Sequence, residues 1–162
     1  MSKMHFHYIV PGDDFTRAGE ASSSVKKKLK QLGYDPDATR RVAIAMYEGE
    51  INMVIHAGGG EIDVDVSPAQ VDVVMADQGP GIADVEKAMQ EGYSTAPDNV
   101  RSLGFGAGMG LPNIKKYPTI CGSIRSWEKA PPCTFPFFRK TDPGRTGCRR
   151  PFQEDGLMII LR

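Results

Sequence analysis

Glu61-Ile62-Asp63-Val64-Asp65-Val66-Ser67-Pro68-Ala69-Gln70-Val71-Asp72-Val73-Val74-Met75-Ala76 alternates apolar and polar residues on both sides of a short proline-containing turn. A period of two sends successive side chains to opposite faces of a pleated chain. The stretch therefore predicts two strands, Glu61 to Ser67 and Gln70 to Ala76, paired as an antiparallel hairpin. The first carries one polar face; the second, with Val73, Val74 and Met75 in succession, reads as the more buried.

Upstream of the hairpin, Pro36 to Ala57 reads as a long helix, with Asp35 as cap before a first-turn proline and Gly58-Gly59-Gly60 as the stop. Val42, Ala45, Met46, Ile51, Val54 and Ile55 form its apolar stripe. Glu48, Asn52 and His56, spaced four apart, share another face. Further upstream, His5 to Val10 is a first strand ended by Pro11-Gly12. A helix follows, capped by Asp13 or Asp14 and closing in the basic run Lys26-Lys27-Lys28 and Lys30 before Gly33. That run reads as a solvated helix end rather than a nucleic-acid patch. Downstream come a short helix over Asp84 to Gln90, a glycine-rich stretch, a helix over Leu111 to Lys116 and a strand over Thr119 to Ser126. The order β, α, α, β, β, α, α, β, with helices on one face of a mixed, mostly antiparallel sheet, predicts an α+β two-layer sandwich.

The chain has 162 residues, a length for one domain. Twenty basic residues against twenty acidic leave no global field to bind nucleic acid, and 40% hydrophobic with 25% charged residues is a globular composition. No apolar run has the length of a membrane span and the first residues lack a signal peptide's apolar stretch, so the expected location is the cytoplasm, with no membrane partner. Cys121, Cys133 and Cys148 have no metal-ligand spacing, and reduced thiols are the default.

Three segments carry candidate chemistry. Glu48 and Asn52 lie one turn apart; a carboxylate can orient or deprotonate a nucleophile, and an amide oxygen is a hard ligand suited to Mg²⁺. Alone, such a pair is usually an ordinary exposed helix pair. Asp77-Gln78-Gly79-Pro80-Gly81-Ile82 follows the second hairpin strand. Gly79 and Gly81 make a tight turn that a flat ring can approach, and Asp77 can accept from an exocyclic amine; the plain alternative is a surface turn. Leu103-Gly104-Phe105-Gly106-Ala107-Gly108-Met109-Gly110-Leu111 places four glycines at every second residue before a helix. Bare N–H groups there suit a polyphosphate, and the segment reads as a mobile lid. No Gly-Lys-Ser/Thr occurs in it, so it is not a P-loop, and it follows no parallel βαβ unit as a dinucleotide fold requires.

In this order and spacing the three segments resemble the N, G1 and G2 boxes of the GHKL (Bergerat-fold) ATPases. With Gly92-Tyr93-Ser94-Thr95 and the short chain, they look most like the bacterial anti-sigma-factor and switch serine/threonine kinases, over about residues 5 to 126. The resemblance implies ATP and Mg²⁺ as cofactors. Glu48 would be the general base, Asn52 would hold Mg²⁺, and Asp77 would meet the adenine amine in a pocket shaped by Gly79 and Gly81. Gly104, Gly106, Gly108 and Gly110 would close over the triphosphate. Arg101 is either a partner for the γ-phosphate or a solvated loop arginine; His56 either borders the phosphates or packs under Gly58. Phe105 and Met109 are assigned to lid packing and Tyr47 to the core. The implied activity is Mg-ATP-dependent phosphorylation of a small antagonist protein of anti-anti-sigma type. Release of a sigma factor or downstream regulator would follow from it, and a homodimer is possible. The competing readings are a nucleotide-controlled binding module without transfer, and a detached histidine-kinase catalytic domain.

The kinase-like part is assigned to residues 1 to 126, and 127 to 162 is an atypical tail. It holds seven basic and four acidic residues and five of the twelve prolines, whereas 1 to 126 holds 13 basic and 16 acidic. Where family members have a Gly-Lys-Gly-Thr turn and a last core strand, Trp127-Glu128-Lys129-Ala130-Pro131-Pro132-Cys133-Thr134-Phe135-Pro136-Phe137-Phe138 has three prolines, which disqualify it as a central strand. Read one nucleotide early from the Trp127 codon, this segment allows Gly-Lys-Gly-Thr-Thr-Val-His-Phe-Ser-Val-Phe, so the tail is read as translated out of the ancestral frame, the competing reading being a genuine partner-binding tail. Met158 to Leu161 is apolar enough for a replacement strand but is not expected to serve as one.

Overall fold

The computed structural model of the chain describes residues 3–12, 14–68, 70–115, 123–126 and 157–161. The hairpin lies at its centre. Strand β2 (Gly59–Ser67) pairs antiparallel with β3 (Gln70–Ala76), Ile62 opposite Met75 and Val64 opposite Val73. Strand β1 (Met4–Pro11) pairs with the other edge of β2, setting Phe6 opposite Val64 and Tyr8 opposite Ile62. Both hairpin strands alternate, but β2 is the more buried, with Ile62, Val64 and Val66 inside against Val73 and Met75 of β3. The sequence reading had this reversed, because three adjacent apolar residues do not override the two-residue period: Val74 faces away from the core.

Helices α1 (Glu20–Gln31) and α2 (Pro36–Asn52) pack on one face of the sheet. Val25 and Leu29 of α1, Ala45 and Met46 of α2, and Ile62, Val64, Val66, Val73 and Met75 of the sheet form one core. Each fully buried large side chain contributes roughly 1.5 to 3 kcal/mol. Asp35 caps α2 through its carboxylate on the Ala38 N–H at 2.8 Å. Asp14, in contrast, caps a short 3-10 turn at Phe15–Arg17, and α1 begins only at Glu20, behind Gly19, which offers no side-chain cap.

Three short helices follow the hairpin: α3 (Val85–Ala88), α4 (Asp98–Ser102) and α5 (Gly110–Lys115). α4, five residues long, interrupts what reads in sequence as one glycine-rich loop. Strands β4 (Ser123–Ser126) and β5 (Leu157–Leu161) complete the sheet, whose order is β1-β2-β3-β5-β4 with every described pair antiparallel. The α+β two-layer architecture is therefore the one the hairpin and helix pattern predict. The upstream half of the strand expected over Thr119 to Ser126 lies outside the described residues.

β5 corrects the expectation for the tail. It lies between β3 and β4, with Ile159 opposite both Met75 and Ile124. The ladder needs only a short apolar segment able to reach the open edge of β3, and loop length costs little beyond a logarithm of the residues closed. The opposite face of the sheet is polar at β1 and β2, where His5 and His7 bond Asp65 and Asp63 at 2.9 Å and Lys3 pairs with Asp65 at 2.8 Å. Partial burial of Asp65 works against its charged form, yet the Lys3 and His5 hydrogen bonds outweigh it and hold the carboxyl below its usual range. Of the basic run in α1, Lys28 lies over the Phe6 and Tyr8 rings, while Lys26, Lys27 and Lys30 are exposed.

Candidate functional site

The second half of α2 is the strut on which the site stands. Glu48 and Asn52 are half-buried on it, one turn apart. The end of the glycine track comes down on both. A Cβ on Gly110 would stand 3.2 Å from Glu48 Oε2 and 3.4 to 3.5 Å from the two terminal atoms of the Asn52 amide. A side chain at 110 would crowd Glu48 Oε2 and displace it by a few tenths of an ångström. From the same turn of α5, Asn113 donates its Nδ2–H to Glu48 Oε1 at 2.7 Å. Glu48, Asn52, Gly110 and Asn113 thus meet at one point, although Asn113 and Glu48 are 65 residues apart in sequence.

Past Asn52 the helix widens into a π-helical turn, Met53–Ala57, ended by Gly58 in the left-handed conformation. Such turns concentrate at functional sites because they re-aim side chains. Here it breaks the four-residue spacing expected to carry His56 onto the Glu48–Asn52 face. His56 is exposed, though the packing around its imidazole desolvates it enough to lower its pKa below the usual 6.5. The π-turn also seats the hairpin exit: a Cβ on Gly79 would lie 2.7 Å from the Ala57 side chain. Asp77, half-buried, accepts the Gly79 N–H at 2.9 Å, which tightens the turn, and Gly81 adopts a positive φ of 70°. The Asp77 turn and the Gly110 end therefore both abut the same 10 residues of helix, Glu48 to Ala57.

The glycine track packs along the preceding loop. A Cβ on Gly108 would meet Tyr93 and Gly92 backbone atoms at 2.5 Å, one on Gly106 would meet the Ala96 side chain at 2.4 Å, and Gly108 O accepts the Gly92 N–H. Gly104, with a φ of 88°, has open space around it. Phe105 stacks on Phe15 with ring centres 5.9 Å apart, tying the track to the loop before α1, in keeping with its assignment to packing. Arg101 is exposed and donates to the Ser94 carbonyl at 2.9 Å; the structure does not bring it to Glu48 or Asn52. Tyr47, assigned to the core, is instead 41% exposed and covers Gly19 at the start of α1.

Two contributors escaped the sequence reading. Asn113 carried no signal beyond being polar in an otherwise apolar first turn. Glu50 lies between Glu48 and Asn52 and is 1% exposed. Its Oε1 accepts the Gly19 and Ala21 N–H groups at 3.0 and 3.1 Å, and its Oε2 accepts that of Ser22 at 2.9 Å. A buried carboxylate thus replaces the missing cap of α1 and fixes that helix to the middle of α2. Its periodicity was the available clue, since Glu50 falls on the buried side of α2.

The model of the histidine kinase-like ATPase domain family matches residues 13–128. The chain belongs to this family. Within the wider GHKL superfamily it lies near the anti-sigma kinases. It is 33% identical over 91 residues to the serine/threonine-protein kinase RsbT of Bacillus subtilis (strain 168), covering 54% of this chain and 62% of that protein. It is 32% identical over 92 residues to the anti-sigma F factor of Clostridium botulinum (strain Eklund 17B / Type B), covering 52% and 64%. The matches thus span somewhat under two thirds of each relative's length. Among the described residues, no helix of this histidine kinase-like ATPase domain is long and apolar enough to cross a membrane. Nor does any group of three or more His, Cys, Asp or Glu among them form a metal cluster.

Proposed function

We propose that this ATPase-family chain is a Mg-ATP-dependent serine/threonine protein kinase of partner-switching type, acting on a small antagonist protein in the cytoplasm. The observation that carries the reading is the convergence of Glu48, Asn52 and the Gly110 end of the glycine track at one point. In the transfer, the oxygen of a serine or threonine hydroxyl on the antagonist bonds to the γ-phosphorus while the bond from phosphorus to the bridging oxygen breaks. ADP leaves with that electron pair. Glu48 takes the hydroxyl proton. The Asn52 amide would supply one hard oxygen ligand to Mg²⁺. When bound, the ion would supply charge neutralisation on the phosphates. Asp77 would accept from the adenine amine beside Gly79 and Gly81, and the N–H groups of Gly106, Gly108 and Gly110 would face the phosphates, while that of Gly104 would first have to leave the Arg101 carbonyl it bonds at 2.9 Å. Arg101 would have to leave Ser94 to join them. Relatives named as a kinase and as an anti-sigma factor support an antagonist substrate and a sigma factor or other regulator as downstream partner.

Calorimetric titration with Mg-ATP tests the site. Asn52→Ala and Asp77→Ala should each weaken binding at least tenfold, whereas Glu48→Ala should bind normally and transfer roughly 10² to 10⁴ times more slowly. Unchanged affinity in both binding variants defeats the assignment. Labelled ATP with candidate antagonists separates a kinase from a binding module: nucleotide bound, with no phosphoserine or phosphothreonine formed, selects the module. The division at residue 126 and the shifted frame of 127 to 162 are part of the same proposal. Coding DNA aligned with related genes should carry an insertion or deletion near the Trp127 codon.

A further inference from the structure

We infer that Asn113 is a positioning residue for Glu48, the candidate base, and that it acts by holding one carboxylate oxygen so that the other is presented to the nucleophile; this deepens the kinase reading and rests on it. An ionised carboxylate only accepts hydrogen bonds, so the group of Asn113 that meets Glu48 Oε1 at 2.7 Å is its NH₂. That contact leaves Oε2 on the side of Gly110, where a Cβ would come within 3.2 Å of it. Gly110 and Asn113 lie three residues apart on the same turn of α5, so the amide holds Oε1 while the absence of a side chain at 110 leaves room beside Oε2. The Asn113 backbone N–H, bonded to the Met109 carbonyl at 2.9 Å, belongs to the same turn. Glu48 is therefore held only when the last residues of the glycine track have folded into α5 against α2. A glutamate with a free rotor would spend much of its time in other rotamers. Asparagine suits the task because it donates to the carboxylate while adding no charge and no titrating proton of its own; an aspartate at 113 would repel Glu48.

The full chain, with Mg-ATP as probe and water in place of the protein hydroxyl, provides the test. Release of labelled inorganic phosphate should fall about 5- to 20-fold in Asn113→Leu, which keeps the branched shape and removes the donor, with Mg-ATP affinity within about twofold of the parent. The Glu48→Ala/Asn113→Leu double variant should be no slower than Glu48→Ala alone. Losses that multiply in the double variant, or affinity that falls in parallel with rate, overturn the inference. The contact itself is read without activity from the Asn113 side-chain amide resonances, which should move in Glu48→Gln; if they stay in place, the tether does not exist. A parent that transfers label neither to water nor to candidate antagonists while those resonances respond sinks the kinase reading and leaves the tether standing.

Discussion

His56 shows how a single side chain departs from its place in the sequence pattern. Its spacing from Glu48 and Asn52 predicts a shared face, but the wider i→i+5 winding of the π-turn rotates it away and leaves it exposed. Desolvation lowers its pKa in the folded protein, so the unfolded chain, near the ordinary 6.5, takes up the proton first. The contribution of His56 is therefore fully present above pH 6.5 and is lost as the pH falls below it toward the folded value. Urea unfolding at pH 7.5 and 5.5 should show a smaller acid loss in His56→Asn than in the parent. An identical loss in the two proteins refutes a role for this imidazole. Glu48 and Asn52, by contrast, keep the relation their spacing predicts, because the regular helix lasts through Asn52.

Between elements, the main joint is the one Glu50 makes. Helix α1 starts without a side-chain cap of its own, and three of its N-terminal N–H groups converge on the Glu50 carboxylate. Removing that acceptor strands buried donors, so Glu50→Ala should destabilise the protein by about 2 to 4 kcal/mol, with Glu50→Gln in between because it retains an acceptor oxygen. Denaturant midpoints at neutral pH measure both. A change under about 0.5 kcal/mol in Glu50→Ala means the joint carries little. The same substitution also loosens the strut under Glu48 and Asn52, so Mg-ATP affinity should weaken in Glu50→Ala.

At the scale of the whole molecule, β5 closes the sheet. It pairs with β3 on one side and β4 on the other, so a chain ended at residue 156 leaves β3 as an open edge. That truncated chain should lose roughly 2 to 4 kcal/mol of stability and associate at concentrations where the parent does not. A midpoint and a sedimentation profile equal to the parent's would show that the ladder to β5 does not hold the sheet together. The hairpin, the long helix and the three glycine-bearing segments were all legible in the sequence. Each is written in local period, cap or turn chemistry, which acts over a few residues: the alternation of Glu61 to Ala76, the Asp35 cap, the glycines that let Gly79 meet Ala57 and Gly110 meet Glu48. What only the tertiary structure decided is who meets whom across long separations. The bond of Asn113 to Glu48, the capping of α1 by Glu50 and the insertion of Leu157–Leu161 beside β3 all join residues whose local sequence gives no sign of the partner. Hydrogen-bonding groups and open edges take whichever complement the packed chain brings near, and that choice belongs to the fold as a whole.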